Sequence, residues 1–127
     1  MAARVLHYDA FAPRPGMGYP AGVVLDADGL SDAAMLAIAR AVGFSETAFV
    51  LPSAIADLRL RYFTPGHEVE LCGHATVASF VALHQHGRLP GAGFPRRLTL
   101  ETGAGRLPVT VEWGGAGEPT VIMAQAP

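Results

Sequence analysis

The stretch Ala75 to Leu83 reads Ala-Thr-Val-Ala-Ser-Phe-Val-Ala-Leu and carries no charge on any face. A helix that is apolar nearly all round has no side to offer water, so it is a buried helix. It is far too short to cross a bilayer, which takes roughly 20 apolar residues. The rest of the chain must therefore wrap around it.

The remaining material is mostly strand. Val5 to Phe11, Gly22 to Leu25, Thr47 to Leu51, Leu58 to Phe63, Val69 to Leu71, Leu98 to Glu101, Leu107 to Trp113 and Pro119 to Met123 are short runs bounded by turn residues. Leu58 to Phe63 alternates Leu-Arg-Leu-Arg-Tyr-Phe, a half-buried strand with its arginines outward. One more helix is expected. Ser31 is an N-cap, Asp32 lies in the first turn, and Ala34, Met35, Ile38, Ala39 and Val42 recur at helical spacing. Gly43 stops this helix and Gly87 stops the buried one. His84, Gln85 and His86 are expected to meet solvent. Ala12 to Pro20 is a proline- and glycine-rich loop, and Gly103-Ala-Gly105 and Gly114-Gly-Ala-Gly117 are glycine-rich linkers.

The order β-β-α-β-β-β-α-β-β-β predicts an α+β fold. A curved antiparallel sheet, a barrel-like half, wraps a central helix, and a second helix lies outside. The length of 127 residues suits one domain over 1–127.

Composition removes several function classes. Half the residues are hydrophobic and 16% are charged, which argues against disorder. The net charge of −2 gives no general field for nucleic acid. No run is apolar enough for a membrane span, and the N-terminus lacks a signal-peptide core. All nine basic residues are arginine, which removes lysine Schiff-base chemistry and the lysine of a phosphate loop. Gly103-Ala-Gly-Arg106 therefore carries little weight as a phosphate site. The single cysteine excludes an internal disulfide and points to a reducing, cytoplasmic compartment. Zinc clusters of the usual Cys/His spacing are absent, and Asp26-Ala-Asp-Gly29 lacks the further ligands of a calcium loop, so no metal is expected.

Two short stretches carry the chemistry. Glu46 sits among Phe44, Ala48 and Phe49, where a partly desolvated carboxylate would have a raised pKa and could move protons near neutral pH. An exposed strand-edge or capping carboxylate is the other reading. Cys72-Gly73-His74 lies where a strand gives way to the buried helix. Unpaired N–H groups there favour an anion such as a substrate carboxylate, and Gly73 lets a ligand approach the backbone. A thiol in that place would have a lowered pKa. The alternatives are a buried, inert cysteine and a capping histidine. His67, beside Glu68 and Glu70, reads as a turn residue.

Taken together, Gly22-Val-Val-Leu-Asp-Ala-Asp-Gly-Leu-Ser31, Met35, Ile38-Ala-Arg40, Ser45-Glu-Thr-Ala-Phe-Val-Leu-Pro52, Arg59-Leu-Arg-Tyr-Phe-Thr-Pro65 and Glu70-Leu-Cys-Gly-His-Ala-Thr76 resemble the PhzF (phenazine biosynthesis) family. The resemblance covers most of the chain, in family order and spacing. It implies the diaminopimelate epimerase-like fold, with Ala75 to Leu83 as its central helix. It implies cofactor-free isomerisation of a small carboxylate-containing substrate, in which a proton leaves one carbon and returns at another. Glu46 would be the proton shuttle, Gly73 and His74 would contact substrate, and Cys72 stands where epimerases and racemases keep a catalytic thiol. Tyr19 replaces the asparagine of the usual Gly-Asn-Pro, so its contact to substrate differs.

Family members run to about twice this length, with two similar halves and a cleft between them. The expectation is thus one wall of a cleft. A second copy in a homodimer, or a separate second-half chain, would complete it. The competing expectation is a half-length, non-catalytic ligand-binding or assembly subunit.

Overall fold

A computed structural model describes residues 4–10, 19–113 and 119–123. In chain order the elements are β1 (Leu6–Ala10), β2 (Tyr19–Val24), α1 (Asp32–Val42), β3 (Glu46–Leu51), β4 (Leu58–Phe63), β5 (Glu68–Val69), α2 (Gly73–Gln85), β6 (Arg96–Thr102), β7 (Gly105–Trp113) and β8 (Pro119–Met123). This is the order expected from the sequence. Residues 11–18 and the linker at 114–118 lie outside the described residues.

The strands form one sheet in the order β1-β2-β3-β4-β6-β7-β8, with β5 paired to β4. Both end strands, β1 and β8, reach α2, as do β2 and β3. A sheet whose two ends touch one helix is curled around it. This is the expected curved, barrel-like half with a central helix.

The sheet departs from the expectation at two joints. The pairs β2/β3 and β4/β6 are parallel, and the rest are antiparallel. Parallel neighbours need a long crossover, usually helical. Those two crossovers contain α1 and α2, so the helices themselves dictate the parallel joints.

Side chains alternate between two cores. Val23, Ala48, Leu58, Leu60, Tyr62, Leu98, Leu100, Val109 and Val111 face inward onto Ala78, Phe80, Ala82 and Leu83 of α2. Val24, Phe49 and Phe63 face outward onto Met35 and Ala39 of α1. The period of two along β2, β3 and β4 sends successive residues to the two sides. Phe80 is fully buried, which contributes about 1.5–3 kcal/mol. Ser79 and Thr76 are also buried, and each hydroxyl folds back on the carbonyl four residues earlier, Ser79 on Ala75 at 2.7 Å and Thr76 on Cys72 at 2.8 Å. That is how a helix without a polar face accommodates two hydroxyl residues.

Three helix ends close as expected. The Ser31 side chain accepts the Ala34 N–H, and Gly43 takes the left-handed conformation at φ 77°. Gly87 does the same at φ 67°, where the Gly87 and Arg88 N–H groups bond His84 and Leu83 carbonyls. His84 departs from the solvated reading. It is half-buried, with its ring edge-on to Phe94 at 5.6 Å. Among the described residues, no helix is long and apolar enough to cross a membrane.

Candidate proton-transfer site

Glu46 opens β3 two residues before Ala48, so it shares the inward face with that core residue. Inside the curl it meets the start of α2. Glu46 Oε2 lies 3.1 Å from His74 Nε2, and the two side chains are only 19% and 17% exposed. Cys72 Sγ lies 3.3 Å from His74 Nδ1 and 3.7 Å from Nε2. Two stretches read separately from the sequence thus meet in one cluster around the His74 ring. Their ligand-capable atoms all lie within 4.8 Å of one another, but Cys72 Sγ lies closer to Nδ1 than to the Nε2 that faces Glu46, so the three donors do not share one tetrahedral ion.

The fourth helix end is unlike the others. Cys72 is the N-cap of α2, in extended conformation, and its side chain makes no capping hydrogen bond. The thiol nevertheless sits at the helix start, where the Ala75 and His74 amides reach it. The expected lowering of its pKa is not found. Burial pushes the Cys72 thiol up, the Ala75 amide pulls it down, and the Glu46 carboxylate pushes it further up. Burial and a neighbouring negative charge outweigh the helix start. At neutral pH Cys72 therefore holds its proton.

Gly73 is exposed, and among the described residues a Cβ built on it would meet no atom within 4 Å. Among the described residues nothing crowds the backbone at Gly73, which leaves a ligand room to lie there beside Glu46 and His74. Tyr19 opens β2, and its side chain lies outside the described residues.

Two residues that the sequence did not single out hold this arrangement from below. The Thr76 hydroxyl donates to the Cys72 carbonyl at 2.8 Å. With its only proton committed there, Thr76 accepts from the Tyr62 hydroxyl at 2.6 Å. Burial pushes the Tyr62 phenol far up, so it stays a donor. The relay Tyr62–Thr76–Cys72 fixes the first turn of α2 against β4. The signal for Thr76 was its place four residues after Cys72; for Tyr62 it was the inward phase of β4.

The remaining candidates do structural work. His67 lies in a turn in which its backbone and ring meet Thr64. Gly103-Ala104 is the hairpin turn between β6 and β7, not a phosphate loop. Asp26 and Asp28 line a shallow cavity of about 540 Å³ with Leu25, Val50, Leu83 and Arg88. It lies by the far end of α2, and Asp26 is paired to Arg88 at 2.7 Å. Glu46, Cys72 and His74 are at the other end.

Comparison with known proteins agrees with this fold. The family model for phenazine biosynthesis-like proteins (PhzC-PhzF) matches residues 8–127. The uncharacterized isomerase YfhB of Bacillus subtilis strain 168 is 51% identical over 109 residues, covering 86% of this chain and 36% of that protein. The trans-2,3-dihydro-3-hydroxyanthranilate isomerase of Pseudomonas aeruginosa is 39% identical over 111 residues, covering 86% of this chain and 37% of that protein. The crystal structure of a PhzF-family phenazine biosynthesis protein of Bacillus anthracis superposes with a TM-score of 0.87 at 52% identity, over 95% of this chain and 40% of that one. The chain thus spans roughly two-fifths of the length of the relatives it matches.

Proposed function

This chain belongs to the phenazine biosynthesis-like (PhzC-PhzF) family, and on that premise we propose that it forms one wall of a cofactor-independent isomerase site. The observation that carries the reading is the Glu46–His74–Cys72 cluster at the start of α2, with Oε2–Nε2 at 3.1 Å and Sγ–Nδ1 at 3.3 Å. Relatives over this region are named isomerases.

In this reading, residues 1–127 act as a single domain. The substrate is a small carboxylate-containing molecule that lies against Gly73. Its carboxylate is met by the helix start, with the His74 ring beside it. Glu46 removes a proton from a carbon activated by that carboxylate and returns it at another carbon of the same molecule. No atom is gained or lost, so no cofactor is required. His74 holds the Glu46 oxygen in place, and Tyr19 borders the substrate. Cys72, a neutral thiol, is the second proton carrier: it can give a proton, whereas thiolate chemistry is disfavoured. The compartment is the cytoplasm.

The opposite wall comes from outside these 127 residues. A second copy in a homodimer is the source we propose for this chain on its own, because a C2 pair would set two such clusters across one cleft. A separate second-half chain is the variant of the same idea. Light scattering distinguishes them: a stable monomer would sink the homodimer. The catalytic reading is tested in D2O with a cyclic or amino-acid-derived acid. Deuterium should wash into substrate, and Glu46→Gln should stop it. Exchange that survives the substitution would pass the role to Cys72. A second reading, a non-catalytic ligand-binding or assembly subunit, draws on the share of its relatives that the chain spans. Tight ligand binding with no exchange would favour it.

A further inference from the structure

We propose that Gly103, in the hairpin turn between β6 and β7, is a positioning residue for Cys72 and His74: as a glycine it lets the turn close against Glu70, and that contact sets where the connector enters α2. A Cβ built on Gly103 would lie 3.1 Å from Glu70 Cα, 3.3 Å from its Cβ and 3.4 Å from its Cγ. The shortest of these is tighter than most real Cβ contacts. Its partner is backbone, which cannot swing aside as a side-chain tip does. Gly105, the other glycine of this hairpin, has φ 112°, whereas Gly103 does not take a positive φ. What requires a glycine at 103 is thus the close approach of another backbone, not an unusual dihedral.

Both sides of this contact are held. In the turn, the buried Thr102 hydroxyl accepts the Ala104 N–H at 3.1 Å and donates to the Gly105 carbonyl at 2.9 Å. In the connector, Val69 is in register with Tyr62, and Val69 and Leu71 pack against the inner core. The Cys72 carbonyl accepts both the Thr76 hydroxyl at 2.8 Å and the Thr76 N–H at 3.0 Å. Glu70 is the exposed middle of a stretch whose neighbours are anchored. A side chain at 103 that pushed on Glu70 would pass the displacement along Leu71 to Cys72. The hairpin at Gly103-Ala104, which carries little weight as a phosphate loop, thus stands behind the Cys72–His74 end of the site.

The thiol reports its own position. The titratable groups that meet it are Glu46 from β3 and His74 from α2, with Tyr62 of β4 behind Thr76. Arg106 of the hairpin reaches instead to the Ile55 carbonyl at 3.4 Å. Gly103→Ala adds no charge, so any change in the titration of Cys72 comes from displacement. A thiol lifted from its half-buried seat is better solvated and farther from the Glu46 charge, and both changes favour the thiolate. The consequence for catalysis rests on the proton-shuttle reading of Glu46; the placement of Cys72 does not.

The test follows iodoacetamide alkylation of Cys72 across pH in the parent chain, Gly103→Ala, Gly103→Val and Gly105→Ala. Gly105→Ala is the comparison. Its φ of 112° strains an alanine, yet among the described residues a Cβ there meets no atom within 4 Å, so it lowers stability without touching Glu70. Urea denaturation checks that each chain is folded under the assay conditions. Alkylation at neutral pH should rise severalfold in Gly103→Ala and further in Gly103→Val, with the titration midpoint moved down, while Gly105→Ala follows the parent. Deuterium exchange into substrate should fall about tenfold in Gly103→Ala. A Gly103→Ala profile that coincides with the parent's overturns the proposal. So does a Gly105→Ala profile shifted as far as that of Gly103→Ala. If Gly103→Val does not fold, Gly103→Ala alone decides. An alkylation profile that moves with residue 103 in a chain showing no deuterium exchange would sink the isomerase reading and keep the placement of Cys72 by Gly103.

Discussion

The two helices begin in opposite ways. At α1, the Ser31 side chain takes the Ala34 N–H, and Asp32 and Arg61 pair in front of it at 2.8 Å, with Asp32 in open water. At α2, the N-cap is Cys72, which gives no side-chain cap, and the facing carboxylate is Glu46, four-fifths covered. The first arrangement satisfies a donor and stabilises the helix. The second leaves the amide end to a thiol, and among the described residues nothing crowds Gly73 beside it. A buried, many-sided helix such as α2 is held by its core contacts, so it can forgo a cap that a surface helix with only Met35 and Ala39 fully buried cannot.

The strongest way to break this comparison is at α2. Glu46→Gln removes the proton carrier and keeps the shape. Substrate deuterium exchange should fall about 10²- to 10⁴-fold. The same substitution should make Cys72 more reactive. The Glu46 charge helps to hold the thiol above its ordinary value, so its loss lowers that value and increases the thiolate at a given pH. Iodoacetamide should alkylate Cys72 slowly in the parent at neutral pH, faster as pH rises, and severalfold faster in Glu46→Gln. A parent thiol that alkylates at neutral pH faster than free cysteine would show that the helix start prevails after all.

A smaller effect is expected below the site. Tyr62→Phe leaves Thr76 without its donor inside the core, at a cost of about 1–2 kcal/mol in urea denaturation. Exchange should also fall, because the relay fixes the Cys72 carbonyl and the first turn of α2. Thr76→Ser, which keeps the hydroxyl, should retain most of it. Ser31→Ala at the other helix is the control: about 1 kcal/mol of stability is lost and exchange is unchanged. If Ser31→Ala lowers exchange as much as Tyr62→Phe, the division between the two helix starts is wrong.

The α1 end was legible in the sequence and much of the α2 end was not. Ser31, Gly43 and Gly87 act within one turn of their own helix, so local spacing suffices to place them. The all-round apolar stretch announced a central helix because burial of that circumference has no local alternative. The pairing of Glu46 with His74 depends on the curl of the sheet, and only resemblance joined them beforehand. The direction of the Cys72 shift was misjudged for the same reason. The helix start is visible locally, whereas burial and the Glu46 charge arrive from strands distant in sequence. The parallel joints follow from crossovers that an order of elements alone leaves undecided. Tyr62 and Thr76 were missed because each, read alone, is an ordinary core residue of its element.

The smallest effect returns to the carboxylates at α1. Arg61 donates to both oxygens of Glu68 at 2.8 Å and also bonds Asp32 at 2.8 Å, with its guanidinium over Phe63. The hydrogen bonds from Arg61 hold the Glu68 carboxyl below its ordinary value. A carboxylate lowered in the folded state adds stability above its unfolded pKa, and that stability is lost as pH falls through the lower folded value. The pair is partly in water, so the contribution is screened to under about 1 kcal/mol. Glu68→Gln should therefore lower the urea midpoint slightly at neutral pH and match the parent once both carboxylates are protonated. Deuterium exchange at the α2 site should be indifferent to it. A Glu68→Gln variant that altered exchange would mean that the outer face of β4 speaks to the inner one, and that the two helix starts are coupled through Tyr62 and Phe63 rather than separate.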